Sequence, residues 1–214
     1  MRLPLSPVEA RVLGVLVEKH KTVPDIYPLS LNALTAGCNQ KNNRDPVMNV
    51  TDAQVQEAVD ALHARSMLSQ SSGARVTRFE HNVARALRIP DQSVALLATL
   101  MLRGPQTVGE LRINSERLHR FADISSVEAF LEELATRPEA QGGALVVKLA
   151  RQPGEREQRW AHLLCGPIAV SVLAADAPAS GEADALGQLR QEVERLRAEV
   201  AELRAAVESL RPAP

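Results

Sequence analysis

A chain of 214 residues with 25 Lys or Arg against 26 Asp or Glu, a formal net charge of -1, has room for two small domains and a tail. Only 2% of its residues are aromatic, which argues against a stacking platform for single-stranded nucleic acid. No stretch approaches the roughly 20 apolar residues a membrane helix needs, and no signal-peptide run follows the start. The two cysteines, Cys38 and Cys165, match no CxxC or Cys/His spacing, so free, buried thiols in a reducing cytoplasm are expected.

Charge is unevenly distributed. Residues 1–90 carry 11 basic and 8 acidic side chains, residues 91–166 carry 9 and 10, and residues 167–214 carry 5 and 8. The first segment is therefore the better candidate for contact with nucleic acid, although it contains no basic tract.

Ser6-Pro7-Val8-Glu9 reads as a capping box with proline at the first helical position. Val8, Val12, Leu13, Leu16 and Val17 then predict a helix to about Lys19. Pro24 and Pro28 bracket a stiff connection, and a second helix begins near Ser30 with Leu31, Leu34 and Cys38 facing inward. The polar run Asn39 to Pro46 is a loop. Thr51 and Gln54 form another capping box, opening a third helix with Val55, Val59 and Leu62 on its apolar face and an end near Arg65. Met67-Leu68 and Arg75 to Phe79 flank a turn near Gly73, a short β-hairpin.

Three helices followed by a hairpin describe a winged helix, and the order then repeats. Ser93 to Leu102 form a first helix closed by Gly104-Pro105; Thr107 and Glu110 cap a second, carrying Leu111 and Leu118. Ser125-Ser126-Val127-Glu128 caps a third, with Val127, Phe130, Leu131 and Leu134 inside. Leu145 to Leu149 and Arg159 to Leu164 flank Pro153-Gly154-Glu155 as a longer wing. Composition alone would also permit an unrelated helical bundle. The fold class is thus mainly α with short β-hairpins: tandem winged-helix domains at 1–88 and 89–166, a flexible linker at 167–183, and a C-terminal coiled-coil helix at 184–211.

The tail carries Leu186, Leu189, Val193, Leu196, Val200, Leu203, Val207 and Leu210 at alternating steps of three and four. Val at a and Leu at d favour two parallel strands. Glu192 and Glu199 at g face Arg197 and Arg204 at the partner's e positions, so a parallel dimer through residues 186–210 is expected.

The stretch Tyr27-Pro-Leu-Ser-Leu-Asn-Ala-Leu-Thr-Ala-Gly-Cys-Asn-Gln-Lys-Asn-Asn-Arg-Asp-Pro-Val-Met48 resembles the signature of the YceH family of bacterial proteins. The resemblance runs from the helix containing Glu9 through the second wing and on to the tail. It implies a tandem winged-helix fold and carries no residue roles with it. Gly37 stands where the family pattern more often has Ala.

In DNA-binding winged helices the third helix enters the major groove and the wing meets the backbone. The corresponding DNA-binding candidates are Gln54, Gln56 and Arg65 for the groove, with Lys41, Arg44, Arg75 and Arg78 for phosphate. Asp52, Glu57 and Asp60 on the same helix oppose that role, as do Glu128, Glu132 and Glu133 in the second domain, which points instead to protein contact. Tyr27, Asn32, Asn39, Gln40 and Asp45 are candidates for either recognition or bracing of the loop, with Tyr27 and Asn32 tying it to the preceding helix and Asp45 pairing with Arg44 or Lys41. Asn and Gln are poor general acids or bases, the five histidines lack ligand spacing, and no phosphate-binding glycine motif is present, so no catalytic, metal or cofactor site is expected. The expected function is a cytoplasmic, DNA-associated, transcription-regulatory protein; the alternative is a protein–protein adaptor without DNA binding.

Overall fold

The computed structural model describes residues 4–71, 76–151 and 154–167, all of which belong to one compact unit. The heptad tail, the linker beyond Pro167, the first hairpin tip with Gly73 and Arg75, and Pro153 of the second wing lie outside the described residues.

Helix α1 (Pro7–Thr22) starts at the capping box read from the sequence: Ser6 Oγ accepts from the Glu9 amide at 3.1 Å and Glu9 Oε2 accepts from the Ser6 amide at 2.7 Å. It continues one turn past Lys19. A 3₁₀ turn at Pro24–Ile26 leads to strand β1 (Leu29–Ser30) and helix α2 (Leu31–Cys38). Helix α3 (Asp52–Ala64) opens with the Thr51–Gln54 box, and strands β2 (Leu68–Ser71) and β3 (Arg78–His81) form the hairpin. Strand β1 joins this hairpin on the β3 side, giving the antiparallel order β1-β3-β2 with Leu29 and Gln70 both opposite Phe79. A two-residue strand carries too little periodicity to be read from sequence, and the short helix α4 (Val83–Leu87) was equally hidden.

Helix α5 (Asp91–Arg103) begins the second pass. Helix α6 (Val108–Asn114) follows from the Thr107–Glu110 box, then α7 (Ile124–Ala135), β4 (Val146–Lys148) and β5 (Trp160–His162). The α7 cap differs from the expected one: Asp123 is the cap, accepting from the Ser126 amide at 2.7 Å, and Ser125 lies inside the helix. Asp123 lies two residues earlier and satisfies a first-turn amide with a charged acceptor. Leu118 falls beyond α6, where it packs on the core from the following turn. Gln106 bridges Trp160 through both backbone bonds, 3.0 and 2.7 Å, so it stands to β5 as β1 stands to β3.

The two passes share one core. Ala10 to Val17 of α1 and Ser93 to Leu102 of α5 are buried without a break, and these helices pack against one another. Gly14 permits the approach: a Cβ there would stand 3.0 Å from Leu102. The boundary at residues 88 and 89 falls at Arg88, which takes a left-handed conformation (φ 54°) between α4 and α5, and apolar packing continues across it. Cys38 is a buried free thiol as expected; Cys165 is free but exposed, because it follows the last strand in a surface turn.

Candidate functional site

The segment connecting α2 to α3 is held from below by two arginines. Arg11, on the buried face of α1 and 1% exposed, donates to the carbonyls of Cys38 (3.1 Å) and Pro46 (2.6 Å). Arg44, 6% exposed, grips both oxygens of Glu18 at 3.1 and 2.6 Å and also donates to the Gly37 carbonyl at 3.2 Å and Gln40 Oε1 at 2.9 Å. A guanidinium offers five donors in a rigid fork, so one such side chain can close several carbonyls that a loop leaves unpaired. Burial, with Arg44 nearby, pushes the Arg11 guanidinium below its ordinary value. Burial acts to raise Glu18, but the Arg44 guanidinium overcomes it and holds the carboxyl below its usual range. The Cys38 thiol, pushed up to about 12 by burial, stays protonated.

The rest of the segment is tied to both passes. Asn39 imitates a strand partner, its Nδ2 donating to the Val50 carbonyl at 2.8 Å and its Oδ1 accepting from the Val50 amide at 2.7 Å. The Asp45 amide donates to the Leu102 carbonyl at 2.8 Å, and Arg103 Nη2 donates to Asn43 Oδ1 at 2.6 Å, so α5 is fastened to the same loop. Here sequence reasoning missed Arg11, Glu18 and Arg103. The signal for Arg11 and Glu18 is a charge set inside an apolar helical run.

Of the residues expected to meet DNA, Arg44 is corrected most sharply: its donors are directed into Glu18 and backbone carbonyls, and its side chain is fully buried. Gln54 is exposed but its carboxamide closes the α3 cap, accepting from the Thr51 amide at 2.9 Å. Gln56 donates to Asp60 at 2.8 Å, one turn along α3. Arg65 donates to the Pro4 carbonyl at 3.2 Å and pairs with Glu9 at 3.6 Å, towards the N-terminal segment. Arg78 is exposed on β3 and donates to the Pro28 carbonyl at 2.8 Å; Lys41 is exposed on the loop. Arg75 lies outside the described residues.

Among the recognition-or-bracing candidates, Asn39 and Gln40 brace the loop directly. Tyr27 does not tie the loop to a helix. Its hydroxyl accepts from the His81 amide at 2.7 Å and its ring stacks on His20 with centroids 4.7 Å apart, fastening the entry to β1 against β3 instead. Burial pushes that phenol up to about 12. Asn32 stands exposed on α2. Asp45 is exposed and pairs with neither Arg44 nor Lys41 among the described residues; its carboxylate faces a cleft.

Two clefts flank the loop where it meets the second pass. One, about 330 Å3, includes Asp45, Arg103, Gln106, Glu110, Asn114 and Arg159. The other, about 310 Å3, includes Lys19, Gln40, Asn43, Arg103, Asn114 and Arg117. Asn43, Arg103 and Asn114 line both. In the first cleft Arg159 is engaged by Glu110 at 2.8 Å and Glu155 at 3.0 Å, and these carboxylates raise its affinity for its proton. No group of three His, Cys, Asp or Glu side chains suited to a metal occurs among the described residues.

The class defined by this architecture is a mainly helical protein with two small antiparallel sheets and a polar, arginine-braced loop between its halves. The chain belongs to the family described as "Protein of unknown function, DUF480", which matches residues 5–155. It is 63% identical over 192 residues to a UPF0502 protein of Delftia acidovorans, covering 89% of this chain and 85% of that one. It is 62% identical over 188 residues to one from Burkholderia multivorans, covering 85% and 78%, and 59% identical over 194 residues to one from Cupriavidus taiwanensis, covering 88% and 78%. No helix among the described residues is long and apolar enough to cross a membrane.

Proposed function

We propose that this chain is a tandem winged-helix adaptor that holds a basic protein partner, with its heptad tail joining two copies in parallel in the cytoplasm. The fold reading is supported by the repeated order of helix, edge strand, two helices and hairpin, with the first strand lying beside the third in both passes. One observation favours the adaptor over the DNA-associated reading. Both third helices turn three carboxylates outward: Asp52, Glu57 and Asp60 on α3, and Glu128, Glu132 and Glu133 on α7. A groove-entering helix must approach two rows of phosphate, and carboxylates on its exposed face oppose that approach. Lys148 is the only described cation paired with the α7 acids, at 3.5 Å from Glu128 and 3.8 Å from Glu132.

The DNA-associated reading rests on Lys41, exposed on the loop after α2, and Arg78, exposed on β3. Fluorescence anisotropy with duplex DNA over a salt series separates the two. The adaptor predicts no saturable binding at low salt by the folded full chain, and a photo-crosslinker at Ala129 on α7 that captures a defined basic protein, lost when Glu128 and Glu133 become Lys. Salt-sensitive duplex binding abolished by Arg78→Ala would replace the adaptor with the DNA reading. Sedimentation of the full chain beside a version ending near Ser180 tests the tail: the full chain should be a dimer and the shorter one should not.

A further inference from the structure

We infer that the cleft between α1, the Asn39–Asp45 loop and the turn after α6 is a binding site for a small polyanion bearing phosphate or carboxylate groups. Three cations line it from three separate parts of the chain: Lys19 on α1, Arg103 at the end of α5 and Arg117 after α6. The one carboxylate on its wall, Glu18, is held at 2.6 and 3.1 Å by the buried Arg44 and also lies 3.6 Å from Lys19 Nζ, so a single negative charge is shared by two cations and Arg103 and Arg117 are left in surplus. Arg103 is half-buried and its described polar contact is neutral, Asn43 Oδ1 at 2.6 Å; no carboxylate is paired with it among the described residues. Burial pushes its guanidinium down, against the opposing pull of Glu18 and with Arg44 adding to the shift. Arg117 is exposed and likewise lacks an ion pair among the described residues.

The neighbours suit an anion's oxygens. Gln40, Asn43 and Asn114 bring carboxamides to the same wall, and an amide can donate to oxygen without adding charge. At about 310 Å3 the space matches a compact metabolite rather than a polymer segment. Arginine forks bind phosphate and carboxylate bidentately, which gives Arg103 and Arg117 the main part in recognition and Lys19 that of a point charge. Because α1 and the loop come from the first pass while Arg103 and Arg117 come from the second, an anion here would add a bond between them. This inference is independent of the adaptor reading, since the cleft does not include the acidic faces of α3 and α7.

Titration calorimetry and thermal melting of the full chain with pyrophosphate and with citrate, at matched ionic strength, test the site. Saturable binding with a raised melting temperature is expected for at least one probe; the stronger of the two shows whether phosphate or carboxylate is preferred. Arg117→Gln, an exposed change that leaves the loop bracing intact, should weaken binding about tenfold or more, while Arg156→Gln on the second wing should leave it unchanged. No saturable binding of either probe overturns the inference, as does equal weakening by both substitutions. Binding of duplex DNA alone, lost with Arg117→Gln, would also overturn it, because the cations would then be serving a polymer backbone.

Discussion

The two passes of the chain solve the same problem with different chemistry. Each must carry its backbone from the second helix to the third. Between Asn114 and Ile124 this is done with apolar packing: Phe121, 5% exposed, sits edge-on to His119 at 4.7 Å and to Phe130 at 5.9 Å. Between Cys38 and Asp52 the same task falls to Arg11, Arg44, Glu18 and the side chain of Asn39. An apolar plug is non-directional and tolerates adjustment. A buried cation network fixes each carbonyl it touches and collapses if one member is lost. The segment that the sequence marks most strongly is thus the one whose backbone is most tightly specified, and Asn43, at φ 60°, is presented to the cleft by that scaffold.

The largest expected effect removes the pin from the polar side of this comparison. Arg44→Met should destabilise the chain by about 3 kcal/mol in urea unfolding, because it leaves the Gly37 carbonyl without this donor and the Glu18 carboxylate with only Lys19, at 3.6 Å. Adding Glu18→Gln should recover part of that loss, and the pair should be strongly non-additive. Arg159→Met in the second pass removes an equally well-connected arginine that remains in contact with solvent, and about 1 kcal/mol or less is expected. Equal losses in the two variants would remove the distinction between a buried and a surface network.

A second effect should be shared by both passes. His81 on β3 and His162 on β5 occupy matching positions, each opposite the first residue of its hairpin partner strand, Leu68 and Val146. Both are pushed down to about 4, His81 by burial and then by His20, and His162 by burial alone. The unfolded chain takes up these protons near pH 6.5, whereas the folded chain resists until about pH 4, so the unfolded state binds more protons in that window. Stability is therefore full above about pH 6.5 and falls as pH drops towards about 4, by roughly 2 kcal/mol per histidine at most by pH 5. His162→Gln should remove about half of that slope in a pH series of urea midpoints. Glu18 adds its own loss at lower pH: its carboxyl is depressed in the folded state, so its contribution is present above its unfolded value and disappears as pH falls through the folded one.

The local elements were legible because their signals are local. Ser6–Glu9, Thr51–Gln54 and Thr107–Glu110 announce α1, α3 and α6 by capping chemistry that needs only four residues. Loop bracing was legible in kind, since Asn, Gln and Asp favour turns, but not in its partners. Arg44 reads as a free cation beside a wing until the fold brings Glu18 to it from 26 residues away. Arg103 and Arg117 carry no motif at all, and only packing of α5 against α1 puts them across a cleft from Lys19. The partners of the expected groove face of α3 are hidden for a similar reason: Gln54 and Gln56 are exposed by periodicity, yet the cap and Asp60 engage their carboxamides.

The smallest effect distinguishes the two second helices. Gly37 in α2 and Gly109 in α6 are both helical glycines, for which alanine would ordinarily be stabilising. At Gly109 nothing obstructs a methyl group, the nearest atom being Thr107 Oγ1 at 4.0 Å, and Gly109→Ala should raise stability by about 0.5 kcal/mol. At Gly37 a Cβ would stand 2.6 Å from Val15 Cγ1, and valine is stiff at χ1, so relief requires α2 to move away from α1. Gly37→Ala should therefore cost about 1–2 kcal/mol despite its better helix propensity. Combined with Val15→Ala it should cost less than the two single changes together, because the methyl then enters space the valine vacated. Opposite signs at the two glycines in urea unfolding would tie the α2 glycine to the close approach of α1, the helix that also supplies Arg11 and Glu18 to the loop. A gain at both positions would mean that α2 rides loosely on α1, and the rigidity ascribed to the braced loop would lose its foundation.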